Sequence, residues 1–300
     1  MKFLVIGGNA AGMSAASRVK RKSPDTEVVV LEQTHEVSYG ACGLPYYVAG
    51  LNNNLDLMRI RKADQFLANG VDLRLGCDVT GADFTAKTVS YTDENGEAHV
   101  ESYDKLLIAT GSSPKVPPIP GIRQKNIFPL KTLDQAAALK LALESNPKSV
   151  VIVGGGYIGL ELAEACILQK VPEIHIVEAL DRLLNVFDPE FSEMVKTELE
   201  KNGVHIHLGE RVMSFEGEDD KVTSVKTDKD CYAADVVILS IGVSPNTRFL
   251  PEGIEKLGNG ALVTDASMKT SVPDVYAAGD CASVWSKHPS DAWCRCRRKK

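Results

Sequence analysis

The sequence contains no run of about 18 apolar residues, the length a membrane-crossing helix needs, so no membrane association is expected. It has no basic surplus either. The net charge is -6, which argues against a nucleic-acid binder, because such proteins draw affinity from neutralising phosphates with Lys and Arg. It lacks a paired cysteine framework. Seven cysteines are scattered over 300 residues, an odd number that suits free thiols better than a secreted disulfide scaffold. It shows no signal peptide, since Met1 to Gly7 runs straight into an apolar strand pattern, and a cytoplasmic protein is expected. What remains is an ordinary globular composition, 44% hydrophobic and 25% charged, at a length that suits two domains.

The chain opens with a strand pattern, Lys2 to Ile6, followed by Gly7-Gly8-Asn9-Ala10-Ala11-Gly12 and then helical spacing to Lys22. A second strand pattern, Glu27 to Leu31, ends at Glu32, 20 positions after Gly12. Strand, glycine-rich turn, helix and spaced acid form a dinucleotide fingerprint, in which a pyrophosphate rests on the helix N-terminus and the acid meets a ribose hydroxyl. Asn9 stands where the middle glycine of G-x-G-x-x-G belongs. On the helix, Arg18, Arg21 and Lys22 share one face, which reads either as a solvated surface or as an anion site.

The run Ser38-Tyr39-Gly40-Ala41-Cys42-Gly43-Leu44-Pro45 places Cys42 just ahead of a proline suited to a helix's first turn. A helix start favours a thiolate, whereas a cysteine taken at random is more often a small packed hydrophobe. Beyond it come a basic cluster at Arg59, Arg61 and Lys62, a short helix at 63–69, and strands around 71–75, 79, 88–91 and 100–103 with a tight turn at Asn95-Gly96. A buried strand then closes at Ala109-Thr110-Gly111.

Pro114, Pro117, Pro118 and Pro120 mark a linker and a domain boundary. After an amphipathic helix at 132–143, the pattern returns intact: strand 149–153, Gly154-Gly155-Gly156-Tyr157-Ile158-Gly159, a helix, and a strand ending at Glu178, 19 positions after Gly159. Glu178 suits an adenine ribose and would repel a 2′-phosphate, so NADH is favoured, although Arg182 stands close enough to admit NADPH. Strands at 204–208, 212–215 and 222–227 and a closing strand, Asp235 to Gly242, repeat the order seen before Gly111. His205 and His207 share one side of a strand, but no third ligand stands at a recognisable spacing and no metal site is expected. Near the end, Val275 to Gly279 reads as a strand leading to Asp280 and then a helix.

This set of motifs resembles the pyridine nucleotide-disulfide oxidoreductases, flavoproteins with two dinucleotide-binding domains. The resemblance covers residues 1 to about 283. It implies an α/β fold of two tandem Rossmann-like, three-layer nucleotide-binding domains with β-meanders, the second inserted in the first. The expected division is an FAD-binding domain at 1–112 and 245–284, an NAD(H)-binding domain at 113–244, and an atypical tail at 285–300. FAD contacts are implied at Gly7, Gly8, Asn9, Ala10, Ala11, Gly12, Glu32, Gln33, Ser38, Val79, Ala109, Thr110, Gly111 and Asp280. Nicotinamide-dinucleotide contacts are implied at Gly154, Gly156, Tyr157, Ile158, Gly159, Glu178 and Gly242, with Tyr157 gating access to the flavin.

The single cysteine within Ser38 to Tyr47 resembles the branch of coenzyme A-disulfide reductases, polysulfide reductases and NADH oxidases or peroxidases. Dithiol members carry a second cysteine five positions away, where this chain has Val37 and Tyr47, so Cys42 would pair with a sulfur from outside the chain. Peroxidase and water-forming oxidase members have a histidine where Ala10 stands, which favours a disulfide or polysulfide substrate, coenzyme A disulfide above all. Arg18, Arg21, Lys22, Arg61 and Lys62 are then candidates for the phosphates of coenzyme A. Two other readings stand beside this one: an oxidase or peroxidase cycling Cys42 through a sulfenic acid, and an inactive or binding-only fragment. The family implies a homodimer, but its interface domain has no counterpart in the pattern of 285–300.

Overall fold

The computed structural model describes residues 1–283. The helices among them are α1 (Ala10–Lys22), α2 (Leu44–Val48), α3 (Ala63–Ala68), α4 (Leu133–Glu144), α5 (Tyr157–Leu168) and α6 (Pro189–Lys201). Their ends follow local chemistry. Lys20, Arg21 and Lys22 fill the last turn of α1, where the helix dipole favours cations. Thr132 and Gln135 exchange backbone-to-side-chain hydrogen bonds of 3.2 Å and form a capping box at the start of α4. None of the described helices is long and apolar enough to cross a membrane.

The chain divides into two compact units, the first made, among the described residues, of Met1–Gly40, Arg59–Ser113 and 244–283. Its five-stranded parallel sheet runs in the order Val275–Ala277, Lys105–Ile108, Lys2–Ile6, Glu27–Leu31, Asp72–Arg74. Both faces of this sheet are buried, which is why its strands read as continuous apolar runs. Phe3, Val5, Val28 and Val30 pack with Met13 and Ala16 of α1. Leu4, Ile6, Val29 and Leu31 face the other way, onto Val89 and Tyr91 of an antiparallel meander built from Asp78–Asp83, Thr88–Thr92 and Ala98–Ser102.

The second unit, Ala41–Met58 and Pro114–Val243, has the same plan. Its parallel sheet runs Ile127–Pro129, Val236–Leu239, Ser149–Val153, Glu173–Glu178, Val204–Leu208, so in each unit the closing strand, the first strand and the acid-bearing strand are successive neighbours. A meander of Val212–Glu218, Lys221–Thr227 and Cys231–Ala233 covers one face, where Phe215, Val222 and Val225 meet Val151, Val153 and Val237. These are three-layer α/β units with parallel sheets, the second inserted in the first.

Two features differ from the expectations. Residues 41–58 precede the linker by more than 50 positions, yet they fold with the second unit. Leu44 and Val48 of α2 are buried there, Gln169 Nε2 donates to the Val48 carbonyl at 3.1 Å, and Lys140 Nζ lies 5.3 Å from the centre of the Tyr47 ring. Among the described residues, Asp280 leads into a strand instead of the expected helix. A turn closed by Ala282 N–H on the Gly279 carbonyl opens the strand Ala282–Ser283, which pairs in parallel with Leu262–Val263. Side chains hold that strand: Ser283 Oγ donates to the Leu262 carbonyl and Thr264 Oγ1 to the Ser283 carbonyl. The tail 285–300 lies outside the described residues.

Candidate functional site

Each unit carries a glycine loop whose close packing demands glycine. Gly7 and Gly154 take φ of +105° and +107°, conformations that side-chain-bearing residues rarely adopt. A Cβ on Gly12 would stand 1.9 Å from the Gly7 carbonyl oxygen, and one on Gly159 would stand 2.1 Å from that of Gly154. The helix start is thus pressed onto the turn in both loops. Gly156, by contrast, has negative φ and nothing within 4 Å of its Cβ direction. Space is open at that position, which suits a cradle for a phosphate approaching the N-terminus of α5.

Asn9 occupies the place equivalent to Gly156, with φ of -100°, so no glycine is required there on backbone grounds. Its side chain has a task of its own. Asn9 Oδ1 accepts a 3.0 Å hydrogen bond from Tyr39 N–H and ties the first loop to the segment leading to Cys42. Ser38 reinforces the tie, holding a left-handed φ of 50° while its N–H donates to the Gly8 carbonyl.

The spaced acids behave alike. Glu32 Oε2 accepts from Gly8 N–H at 2.6 Å, and Glu178 Oε2 accepts from Gly155 N–H at 2.7 Å. Each second oxygen turns back to its own loop, Glu32 Oε1 to Thr34 and Glu178 Oε1 to Leu180 N–H. Both carboxylates therefore lie against their glycine loops, where a ribose of a dinucleotide would be met.

The other predicted residues of the first loop region gather around it. The Ala109 carbonyl lies against Gly7, and Thr110 Oγ1 donates to the Asn246 carbonyl while Asn246 Nδ2 returns a bond to the Thr110 carbonyl. Gly279, with φ of 80°, sits against the Ala11 side chain and brings the exposed Asp280 beside the start of α1, where Ser112 Oγ donates to it at 3.0 Å. Gln33 donates to Asp78, and Val79 packs half-buried on the sheet. In the second unit Gly242 takes φ of 93° and accepts from Lys115 N–H, and Ile158 is half-buried. The exposed Tyr157 ring meets Phe187 edge-on at 5.8 Å.

Cys42 is an exposed free thiol in a 3₁₀ turn, Ala41–Gly43, one position before the N-cap Gly43 of α2. The expected helix start is present. It is short, since α2 has five residues and so offers about one turn of dipole. Cys231 is also exposed, whereas Cys77, Cys166 and Cys281 are buried. Burial pushes the Cys166 thiol up to about 12, which keeps it an inert core group. The basic candidates Arg18, Arg21, Lys22, Arg61 and Lys62 are all exposed and form no ion pair among the described residues; Arg61 lies over the Phe66 ring.

The profile of a family described as pyridine nucleotide-disulphide oxidoreductase matches residues 1–294. The chain is 37% identical over 287 residues to an NADH oxidase of Enterococcus faecalis, covering 95% of this chain and 64% of that protein. It is 41% identical over 283 residues to a CoA-dependent NAD(P)H sulfur oxidoreductase of Pyrococcus abyssi, covering 94% and 62%. Among solved structures it is similar to the NADH-bound, water-forming NADH oxidase of Lactobacillus brevis, with a TM-score of 0.90, 34% identity, and coverage of 94% and 63%. The chain thus spans less than two thirds of the length of these relatives.

Proposed function

The chain belongs to the pyridine nucleotide-disulphide oxidoreductase family, and on that premise we propose that it is an FAD-dependent NAD(P)H oxidoreductase that reduces a disulfide or polysulfide through Cys42. Coenzyme A disulfide is the favoured substrate. The observation that carries this reading is a pair of acid-braced glycine loops in one chain with a single exposed, unpartnered thiol ahead of α2.

The residues fit the two cofactors. The first loop, with Glu32, Ala109 to Gly111 and Asp280, would hold FAD. The second loop, with the space at Gly156 and Glu178 beside it, would hold the nicotinamide dinucleotide. When bound, these cofactors supply two electrons by hydride transfer. The chain's own chemistry is that of the sulfur. The Cys42 thiolate attacks one sulfur of the substrate, a mixed disulfide forms and the first thiolate leaves. Two electrons then release the second thiolate and restore Cys42. With no cysteine at 37 or 47, the Cys-x4-Cys pairing of the dithiol members cannot form. Arg18, Arg21, Lys22, Arg61 and Lys62, exposed and without an ion pair among the described residues, are available to the phosphates of a coenzyme A substrate.

NADH oxidase activity is the second reading, favoured by the oxidases among the relatives. Anaerobic reduction of the FAD-loaded protein with NADH, followed by reoxidation with coenzyme A disulfide, polysulfide or oxygen in turn, separates the two. Cys42→Ser should leave flavin reduction intact and abolish reoxidation by disulfide. A variant that still reduces coenzyme A disulfide at the parent rate overturns the mechanism.

A further inference from the structure

The second unit holds a polar cluster that neither glycine loop uses. His205 and His207 alternate along the edge strand Val204–Leu208 and so face one side, and the parallel register sets His175 directly opposite His205. His175 Nδ1 lies 3.0 Å from His207 Nε2, and the His175 ring stacks on that of His205 with centroids 4.9 Å apart. The other nitrogen of His207, Nδ1, lies 3.1 Å from Tyr232 Oη. Tyr232 Oη in turn donates to Glu210 Oε1 at 2.7 Å, and Thr227 Oγ1 donates to the same oxygen at 2.5 Å. Glu210 and Thr227 are each 5% exposed, so this support is built into the edge of the core.

The donors can be ordered. An ionised carboxylate only accepts, so the Tyr232 proton points to Glu210 and the phenol oxygen accepts from His207 Nδ1–H. That leaves the lone pair of His207 Nε2 directed at His175.

We propose that His175 and His207 form a two-imidazole binding site for a borderline divalent transition metal such as zinc, nickel or copper, with water completing the shell. Two imidazole nitrogens each about 2.0–2.1 Å from one tetrahedral ion stand about 3.3 Å apart, close to the separation observed. Imidazole donors select these metals over magnesium or calcium. A ligating histidine that passes its other N–H toward a carboxylate is the usual outer support of such a site, and here Tyr232 and Glu210 provide it. Metal would clasp the edge strand to its neighbour.

Nickel titration calorimetry on the untagged full chain, with its thiols alkylated so that cysteine cannot compete, tests the site. One Ni²⁺ per chain is expected. His175→Gln and His207→Gln should each weaken binding at least tenfold, and Tyr232→Phe, which keeps the packing, should weaken it about 10- to 100-fold. Asp93→Asn, in the exposed Asp93, Glu97 and His99 group of the first unit, should leave it unchanged. Copper bound to the wild-type chain should show hyperfine coupling to at least two imidazole nitrogens. The proposal is overturned by absence of saturable binding in the wild type, by binding that survives the double His175→Gln, His207→Gln substitution, by loss in Asp93→Asn, or by a copper spectrum without that coupling.

Discussion

Replacing Gly159 by alanine separates the two nucleotide loops by experiment. The added methyl would stand 2.1 Å from the Gly154 carbonyl oxygen and 2.8 Å from Ser240 Oγ. The carbonyl belongs to the turn that feeds α5, so it cannot swing aside as a side chain would, and either the turn or the helix start has to give. Overpacking of this kind costs about 1–3 kcal/mol. If α5 retreats, binding has to restore the original approach, and the same energy appears as about a five- to more than a hundredfold loss of NADH affinity. If the loop holds instead, the cost appears as a lower melting temperature. Gly156→Ala is the matched control, because its Cβ direction is open and its φ is negative. That substitution should leave stability near the parent value, yet weaken NADH where the methyl fills the phosphate cradle. Titration of NADH by intrinsic fluorescence, flavin content by absorbance and thermal unfolding together read all three quantities. Unchanged affinity and melting temperature in Gly159→Ala, or a loss of flavin with NADH binding intact, would refute this role for the second loop.

Three further outcomes are expected. Burial alone would raise the Glu101 carboxyl, but hydrogen bonds from Lys2 and Arg74 outweigh it and hold the group below the usual carboxylate range. A depressed carboxyl stabilises the fold above its unfolded pKa and loses that contribution as pH falls through the folded value. Glu101→Gln should therefore cost about 1–3 kcal/mol near neutrality and flatten the fall of melting temperature below about pH 4.5, and an unaltered acid limb would contradict this. Peptide mapping after brief alkylation of native protein should find Cys42 and Cys231 modified and Cys77, Cys166 and Cys281 protected; equal rates at Cys166 and Cys42 would show the burial to be wrong. Asn9→Gly should remove the acceptor for Tyr39 N–H at about 0.5–1.5 kcal/mol, raising amide exchange at Tyr39, where unchanged protection would mean the bond carries nothing.

Much of the architecture was legible along the chain because it rests on local rules. Apolar runs buried on both faces read as parallel strands, and the return of the same order after the linker exposed the duplication from residue order alone. The corrections came from contacts distant in sequence. Asn9 looked like a flaw in the fingerprint, because a motif cannot show that the backbone there has negative φ or that the side chain has a partner 30 positions away. The described residues after Asp280 form the short strand Ala282–Ser283, held by bonds to Leu262 and Thr264 that the local pattern does not announce.

The sequence by itself determined the two loops, their spaced acids, the meanders and the one cysteine of the run Ser38 to Tyr47, since glycine, spacing and periodicity act within a few residues of one another. Only the tertiary structure decided which unit carries Cys42, because α2 is too short to stand alone and takes its stability from burying Leu44 and Val48 in the second unit, with Gln169 and Lys140 at its edge. It alone also set His175 beside His207. Strand register, 32 positions apart in the chain, creates that pair, and no spacing rule along the sequence could announce it.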